Sequence, residues 1–300
     1  MVERLSFEDQ IRTNKIKSVF LMGFIFCIFL VLGYIFSIIY DPGAFFIIMI
    51  LSIIISMLYL IISYYNSDKI ALASVNAKKA SPTEHRMLYH AVDSMAIASG
   101  LPKPRIFVME SNQINAFASG RDPQHAVICV TTGLLNKLNK QQLEGVIAHE
   151  MAHIANFDIR FMTLTAVMVG MISIASEIFL RSLWFSGGDN RDKGGAIFII
   201  LGIILAILAP ILAHLVSLAI SRKREFTADA TGVKFTRYPT GLASALKAIK
   251  NEQAPTSQDK HHYAKAMAPL FISNPFKSNI SGLFATHPPI DERIKRLEAM

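Results

Sequence analysis

Cysteine is almost missing from this sequence: among 300 residues only Cys27 and Cys129 occur. Two thiols, one inside a long apolar run and one in a β-prone stretch, exclude a disulfide framework and a cysteine-based zinc site. They fit a reducing compartment. Charge is scarce as well, at 17% of residues against 52% hydrophobic, and the shortage is concentrated in long runs that carry almost none. Such runs distinguish a bilayer-spanning chain from a soluble one with a large core. The formal charge of +8 raises the question of nucleic acid, but a basic helix interleaved with aromatics is lacking. Lys and Arg flank the apolar runs instead: Arg4, Arg12, Lys15 and Lys17 before the first, Arg222, Lys223 and Arg224 after the last. This is the positive-inside pattern, so the expected partner is a lipid bilayer and not nucleic acid. The first run is too long for a signal-peptide core and has no clear small-residue cleavage site, so it is expected to be retained. Internal repeats and low-complexity segments are absent.

Four segments are long and apolar enough to span: Val19 to Tyr40, Gly43 to Tyr64, Phe161 to Leu180 and Ala196 to Ile220. Asp41 and Pro42 leave almost no loop in the first pair, and Gly187, Gly188, Asp189 and Asn190 turn the chain between the second pair. Pro210 is expected to kink the fourth span. With the basic amino terminus inside, both polar stretches return to the cytoplasmic side. A metal site built from both requires an even number of crossings between them. The expected organisation is therefore residues 1–65 with the first two spans, 66–160 as the first part of a cytoplasmic catalytic domain, 161–220 with the next two spans, and 221–300 as its second part.

Within the first polar stretch the pattern predicts a helix from Pro82 to Ser99, capped by Ser81 with Glu84. Short strands follow at Arg105 to Met109, Ile114 to Ser119 and Ala126 to Thr131, with a turn at Gly120 to Pro123. Asn139 and Gln142 form a capping pair that opens the next helix. Helices are expected again at Arg222 to Phe235, Gly241 to Asn251 and Pro289 to Ala299. Ala254 to Ser281 reads as loop, and its adjacent His261 and His262 as solvated bystanders. The fold class is α+β: four transmembrane helices with a mainly helical, zincin-like cytoplasmic domain containing a small β-sheet.

The chemistry sits in His149-Glu150-Met151-Ala152-His153. Four-residue spacing puts two imidazoles on one helical face, where both can reach one ion at about 2.0 to 2.1 Å. Glu150 points beside the ion, which suits a general base acting on water. A catalytic zinc takes a third protein ligand. Glu225, in Arg222-Lys223-Arg224-Glu225-Phe226-Thr227-Ala228-Asp229, follows the fourth span on the same side. Asp229, one turn on, could accept the free ring N–H of a ligating histidine. The residues alone leave open an alternative in which Glu225 and Asp229 pair with Arg222 and Lys223 on a solvated face. His214 and Glu177, at membrane depth, read as hydrogen-bonded structural groups.

HEMAH followed by a span pair and then by REFTADA resembles the HtpX family of membrane metalloproteases, relatives of the CAAX prenyl-protein endopeptidases. The resemblance extends to Asn115-Ala116-Phe117-Ala118 and to Thr286-His287-Pro288-Pro289. It implies one zinc per chain held by His149, His153 and Glu225, with Asp229 as an outer partner. It also implies substrate lying along the strand at Asn115, Ala116, Phe117 and Ala118, since an added strand gains main-chain hydrogen bonds whatever its sequence. His287 is expected to donate to the developing oxyanion, whereas by itself it is only a histidine before two prolines. The implied activity is endopeptidase cleavage of membrane or misfolded protein substrates at the cytoplasmic face of a bacterial plasma membrane, in quality control under stress. Two rivals remain. An intramembrane site-2-type protease would need its histidines inside a span, but Asn139, Lys140, Gln141, Gln142 and Glu144 precede the motif and Asn156, Asp158 and Arg160 follow it. A non-catalytic adaptor with a structural zinc would need a fourth ligand.

Overall fold

The computed structural model describes residues 7–40, 42–168, 170, 222–252, 267, 270–273 and 288–300. The third expected span beyond residue 168, the whole fourth span with Pro210 and His214, Glu177, the 187–190 turn, His261, His262 and His287 lie outside the described residues.

Helix α1 (Phe7–Tyr40) turns through a short 3-10 segment (Pro42–Ala44) into α2 (Phe45–Tyr65). Within them Ile11–Tyr34 and Phe45–Tyr65 are long and apolar enough to cross a membrane. Side chains such as Phe46, Ile47 and Ile50 are exposed on α2, as a lipid-facing surface requires. Helix α1 extends back to Phe7, amino-terminal to the expected span's start at Val19. Its amino-terminal turns are more polar, yet one stripe continues through them: Asn14, Ser18, Leu21, Ile25 and Ile28 are all buried. The apolar part of that stripe packs on Phe161, Leu164 and Met168, in helix α7 at residues 158–168.

Past the hairpin come a short helix α3 (Ser67–Ser74) and a two-residue strand β1 (Lys78–Lys79), neither of which the residue pattern announces. Helix α4 (Arg86–Ser99) starts four residues later than Pro82. Residues 81–85 form a turn instead, in which the Ser81 carbonyl accepts the His85 N–H and the His85 ring accepts the Ser81 N–H. The sheet adds β2 (Arg105–Met109), β3 (Ala116–Ser119) and β4 (Val127–Thr131) in the order β1-β2-β4-β3. Strands β2 and β4 are parallel, and β1 and β3 pair antiparallel at the outside. Strand β3 is therefore an edge in the sheet order, although all four of its residues are buried.

A short helix α5 (Thr132–Lys137) leads to α6 (Lys140–Ala155), the helix of the HEMAH motif. Its start is a capping box: the Asn139 side chain accepts the Gln142 N–H at 3.0 Å, and the Gln142 side chain accepts the Asn139 N–H at 3.0 Å. Every residue from Gly145 to Ala155 is buried, because α4, β3, α8 (Arg222–Thr236) and α9 (Pro239–Asn251) pack around it. A last helix α10 (Ile290–Glu298) lies against α8 and α9.

The crossing of α6 and α9 leaves no room for a side chain at Gly145: a Cβ there would stand 2.5 Å from the Leu242 backbone nitrogen. Gly145→Ala is expected to lower stability by about 1–3 kcal/mol, the cost of overpacking a close contact. The readout is the thermal midpoint of the detergent-solubilised protein, and an unchanged midpoint would refute so close an approach.

Candidate metal centre

Histidines 149 and 153 sit one turn apart on α6 with their rings edge to face, and their Nε2 atoms are 3.2 Å apart. From α8, Glu225 brings Oε2 to 3.7 Å from the His149 Nε2 and Oε1 to 3.6 Å from the His153 Nε2. Two helices come this close because α8 presents a stripe of small and acidic residues, Glu225, Ala228, Asp229 and Gly232, all buried. A Cβ on Gly232 would stand 3.1 Å from the Ala148 and His149 backbone, so glycine there sets the approach.

Each ring is held from behind by a carboxylate. Asp229 Oδ1 lies 2.9 Å from the His149 Nδ1, and Asp158 Oδ2 lies 3.0 Å from the His153 Nδ1. With Nδ1–H donating, Nε2 keeps a free lone pair directed at the ligand position. Asp158 stands five residues beyond His153, past a turn in which Phe157 adopts a positive φ of 57°, and the start of α7 carries it back beside the ring. Asp229 is held in turn by Arg293 of α10, whose Nε and Nη2 donate to its two oxygens at 2.9 and 2.7 Å. Arg293 Nη1 is 3.3 Å from Glu225 Oε2.

Burial and charge explain the protonation preferences. The Asp229 carboxyl, which burial alone would raise, is held down to about 2 mainly by the Arg293 charge and by His149. Burial and the Arg293 charge push His149 down, against the Asp229 hydrogen bond. For His153 burial acts downward too, but Asp158 and the carboxylates of Glu225 and Glu150 outweigh it and lift it to about 9. Glu150, next to His149 and 1% exposed, is pushed up to about 7, chiefly by burial, with Glu225 adding to the rise and His153 opposing it. By strict geometry neither of its buried carboxylate oxygens has a hydrogen-bond partner among the described residues, while the Ala118 backbone N–H is near enough to pull the carboxyl down.

The donor set fits a divalent metal on two counts. The three ligand atoms lie within 4.8 Å of one another, with separations of 3.2 to 3.7 Å, against about 3.3 Å between ligands placed tetrahedrally around zinc at its usual bond lengths. Charge agrees. With both imidazoles neutral, as metal ligation requires, and the four carboxylates ionised, Glu150, Asp158, Glu225 and Asp229 outnumber the buried guanidiniums of Arg224 and Arg293 by two, a surplus that a dication would balance.

The solvated-face alternative for Glu225 and Asp229 is overturned. Both are 2% exposed and face Arg293 and the histidines, not Arg222 and Lys223. Asn156 and Asp158 do not owe their polarity to an exposed surface either, since they are 0% and 2% exposed. Two residues escaped the sequence pattern. Asp158 counts in the sequence only as one of the polar residues that follow the motif. Arg293 lies among Asp291, Glu292, Lys295 and Arg296, but it shares the stripe of Ile290, Ile294 and Leu297, and that placement was the available signal.

At the sheet edge, Asn115 precedes β3 and its side-chain amide donates to the Ser273 carbonyl at 2.8 Å. Ala116 accepts the Ile272 N–H at 2.9 Å. Phe117 forms an antiparallel bridge with Phe271, their rings 5.1 Å apart. Residues 270–272, inside the stretch that reads as loop, thus lie buried along the β3 edge, with Ser273 half-buried beside them.

Residues 82–300 match the profile of peptidase family M48. The chain is 46% identical over 305 aligned residues to a "Protease HtpX homolog" of Caldanaerobacter subterraneus subsp. tengcongensis, covering 100% of this chain and 99% of that one. It is 49% identical to another of the same name from Thermoanaerobacter pseudethanolicus, covering 81% and 82%. The crystal structure of S. mikatae Ste24p aligns with a TM-score of 0.47 at 21% identity, covering 96% of this chain and 66% of that one. With the converging histidines and glutamate on one side and whole-length identity on the other, the chain belongs to peptidase family M48, as a zinc metallopeptidase of the HtpX type.

Proposed function

We propose that this protein is a membrane-anchored endopeptidase that hydrolyses internal peptide bonds of membrane or misfolded proteins at the cytoplasmic face of a bacterial plasma membrane, as part of protein quality control. The observation that carries the proposal is the convergence of His149, His153 and Glu225 donor atoms beside the buried carboxylate of Glu150. In this reading His149 Nε2, His153 Nε2 and the Glu225 carboxylate hold one zinc ion. Bound there, zinc supplies Lewis acidity, acidifying water and polarising the scissile carbonyl.

The protein's own groups do the rest. Asp229 and Asp158 keep each imidazole in the tautomer that offers Nε2. A Glu150 carboxylate oxygen takes the proton of the attacking water and later delivers it to the leaving amine, a task suited to a group whose pKa lies near the operating pH. Arg293 holds Asp229 and shares the Glu225 charge, so neither acid is left unpaired in the dry interior. Substrate is proposed to add in extended form along β3. At Ala116 it competes with Ile272 for the same carbonyl, so residues 270–273 must yield or the substrate must use the Ala118 end. His287 is proposed as the donor to the oxyanion; Pro288, next in the chain, leads into the helix that carries Arg293. Support for the cytoplasmic placement is the basic start of α1, with Arg12, Lys15 and Lys17.

Glu150→Gln is expected to retain zinc at one equivalent per chain while turnover of an unfolded test protein falls about 10²–10⁴-fold; turnover at the wild-type rate sinks the general-base assignment. Chelation should abolish cleavage and zinc return should restore it, with products mapped by mass spectrometry to internal bonds. Asp229→Ala is expected to weaken zinc binding about 10–100-fold, as losing an outer partner of a ligating histidine does. Competition titration with a chromogenic chelator measures it, and unchanged affinity refutes the role.

A further inference from the structure

The first membrane helix does more than pack. Asn14, on the buried stripe of α1 and 5% exposed, places its side-chain amide among three segments of the metal centre. Its Nδ2 donates to Asp158 Oδ1 at 2.7 Å and to the Asn156 carbonyl at 3.1 Å. Its Oδ1 accepts from Arg224 Nη2 at 3.5 Å, and Arg224 Nε also reaches Asp158 Oδ1 at 3.1 Å. The other oxygen of Asp158 is the one that faces the His153 ring, and Arg224 immediately precedes Glu225.

We propose that Asn14 is a positioning residue of the metal centre: through Asp158 it fixes the His153 ring, and through Arg224 it steadies the turn bearing Glu225, so that the anchor helix governs how firmly the metal is held. An amide suits this place because it donates to a carboxylate and a carbonyl while accepting from a guanidinium. An aliphatic side chain would take one donor from Asp158 Oδ1, and the carboxylate could then lean away from the ring it orients. The His153 ligand would lose basicity and alignment together. Leu21, two turns along the same stripe, belongs to the apolar cluster of this interface and separates helix packing from the polar relay.

The proposal rests on the zinc assignment above, and the test keeps the two apart. Full-length protein in detergent is loaded with zinc, and release to excess chelator is timed for wild type, Asn14→Leu and Leu21→Ala; cobalt-substituted samples report ligand geometry through their visible absorption. Asn14→Leu is expected to release zinc about tenfold faster, the low end for outer partners of a ligating histidine, with a changed cobalt spectrum. Leu21→Ala should lower the thermal midpoint but keep the wild-type spectrum and a release rate within about twofold. Should Asn14→Leu fail to accumulate, the isosteric Asn14→Asp, which faces Asp158 with an acceptor in place of a donor, carries the same expectation. Wild-type release and spectrum in the Asn14 variants overturn the role of Asn14 alone, and so does equal acceleration in Leu21→Ala. A wild-type protein that holds no zinc overturns the metal assignment itself.

Discussion

Two hydrogen bonds, from His149 Nδ1 to Asp229 and from His153 Nδ1 to Asp158, at 2.9 and 3.0 Å, anchor the centre of this protein, and the surrounding architecture exists to make them affordable in a dry interior. Neither carboxylate can stay ionised away from water without a cation or several donors. Asp229 therefore has the bidentate Arg293, and Asp158 has Arg224 and Asn14. These partners come from the last helix, from the helix of Glu225 and from the first membrane helix. The electrostatic demand of two imidazoles thus recruits both ends of the chain.

Close helix packing makes the recruitment possible. Helix α6 is surrounded, with Gly145 under α9 and Gly232 of α8 against Ala148 and His149. Small residues at these crossings let backbones approach, and longer side chains would part the helices and separate Glu225 from the rings. Since α6 and α8 touch, the chain that leaves α6 is back at its side by the helix that begins at Arg222. The polar side of α1 joins the same layer through Asn14, which ties the membrane hairpin to the chemistry instead of leaving it a passive tether.

The sheet contributes a wall and an edge. Strand β3 flanks α6, and the backbone of Ala118 faces Glu150. The same edge is paired at Ala116 with Ile272, which satisfies a buried carbonyl that would otherwise carry a desolvation cost. An edge strand beside a buried carboxylate is a place where an extended segment can be added by main-chain hydrogen bonds, and the chain's own Phe271 and Ile272 pair there.

Local information determined much of the fold. Uncharged runs marked the hairpin, β-prone stretches marked three strands, Asn139 and Gln142 marked the start of α6, and four-residue spacing placed His149 and His153 on one face. These follow from backbone periodicity and from the cost of burying charge, which act within a few residues of each other. The sequence also carried Glu225 and Asp229, but could not choose between a solvated face and a buried one, because acids beside Arg222 and Lys223 look alike in both. Asp158, Arg293 and Asn14 were invisible as site residues for a related reason: a polar side chain is assigned to water by default, and only the packing of α1, α7, α8 and α10 around α6 removes the water and leaves each one paired with another. Which polar groups meet is a property of long-range packing, and that was decided by the tertiary structure alone.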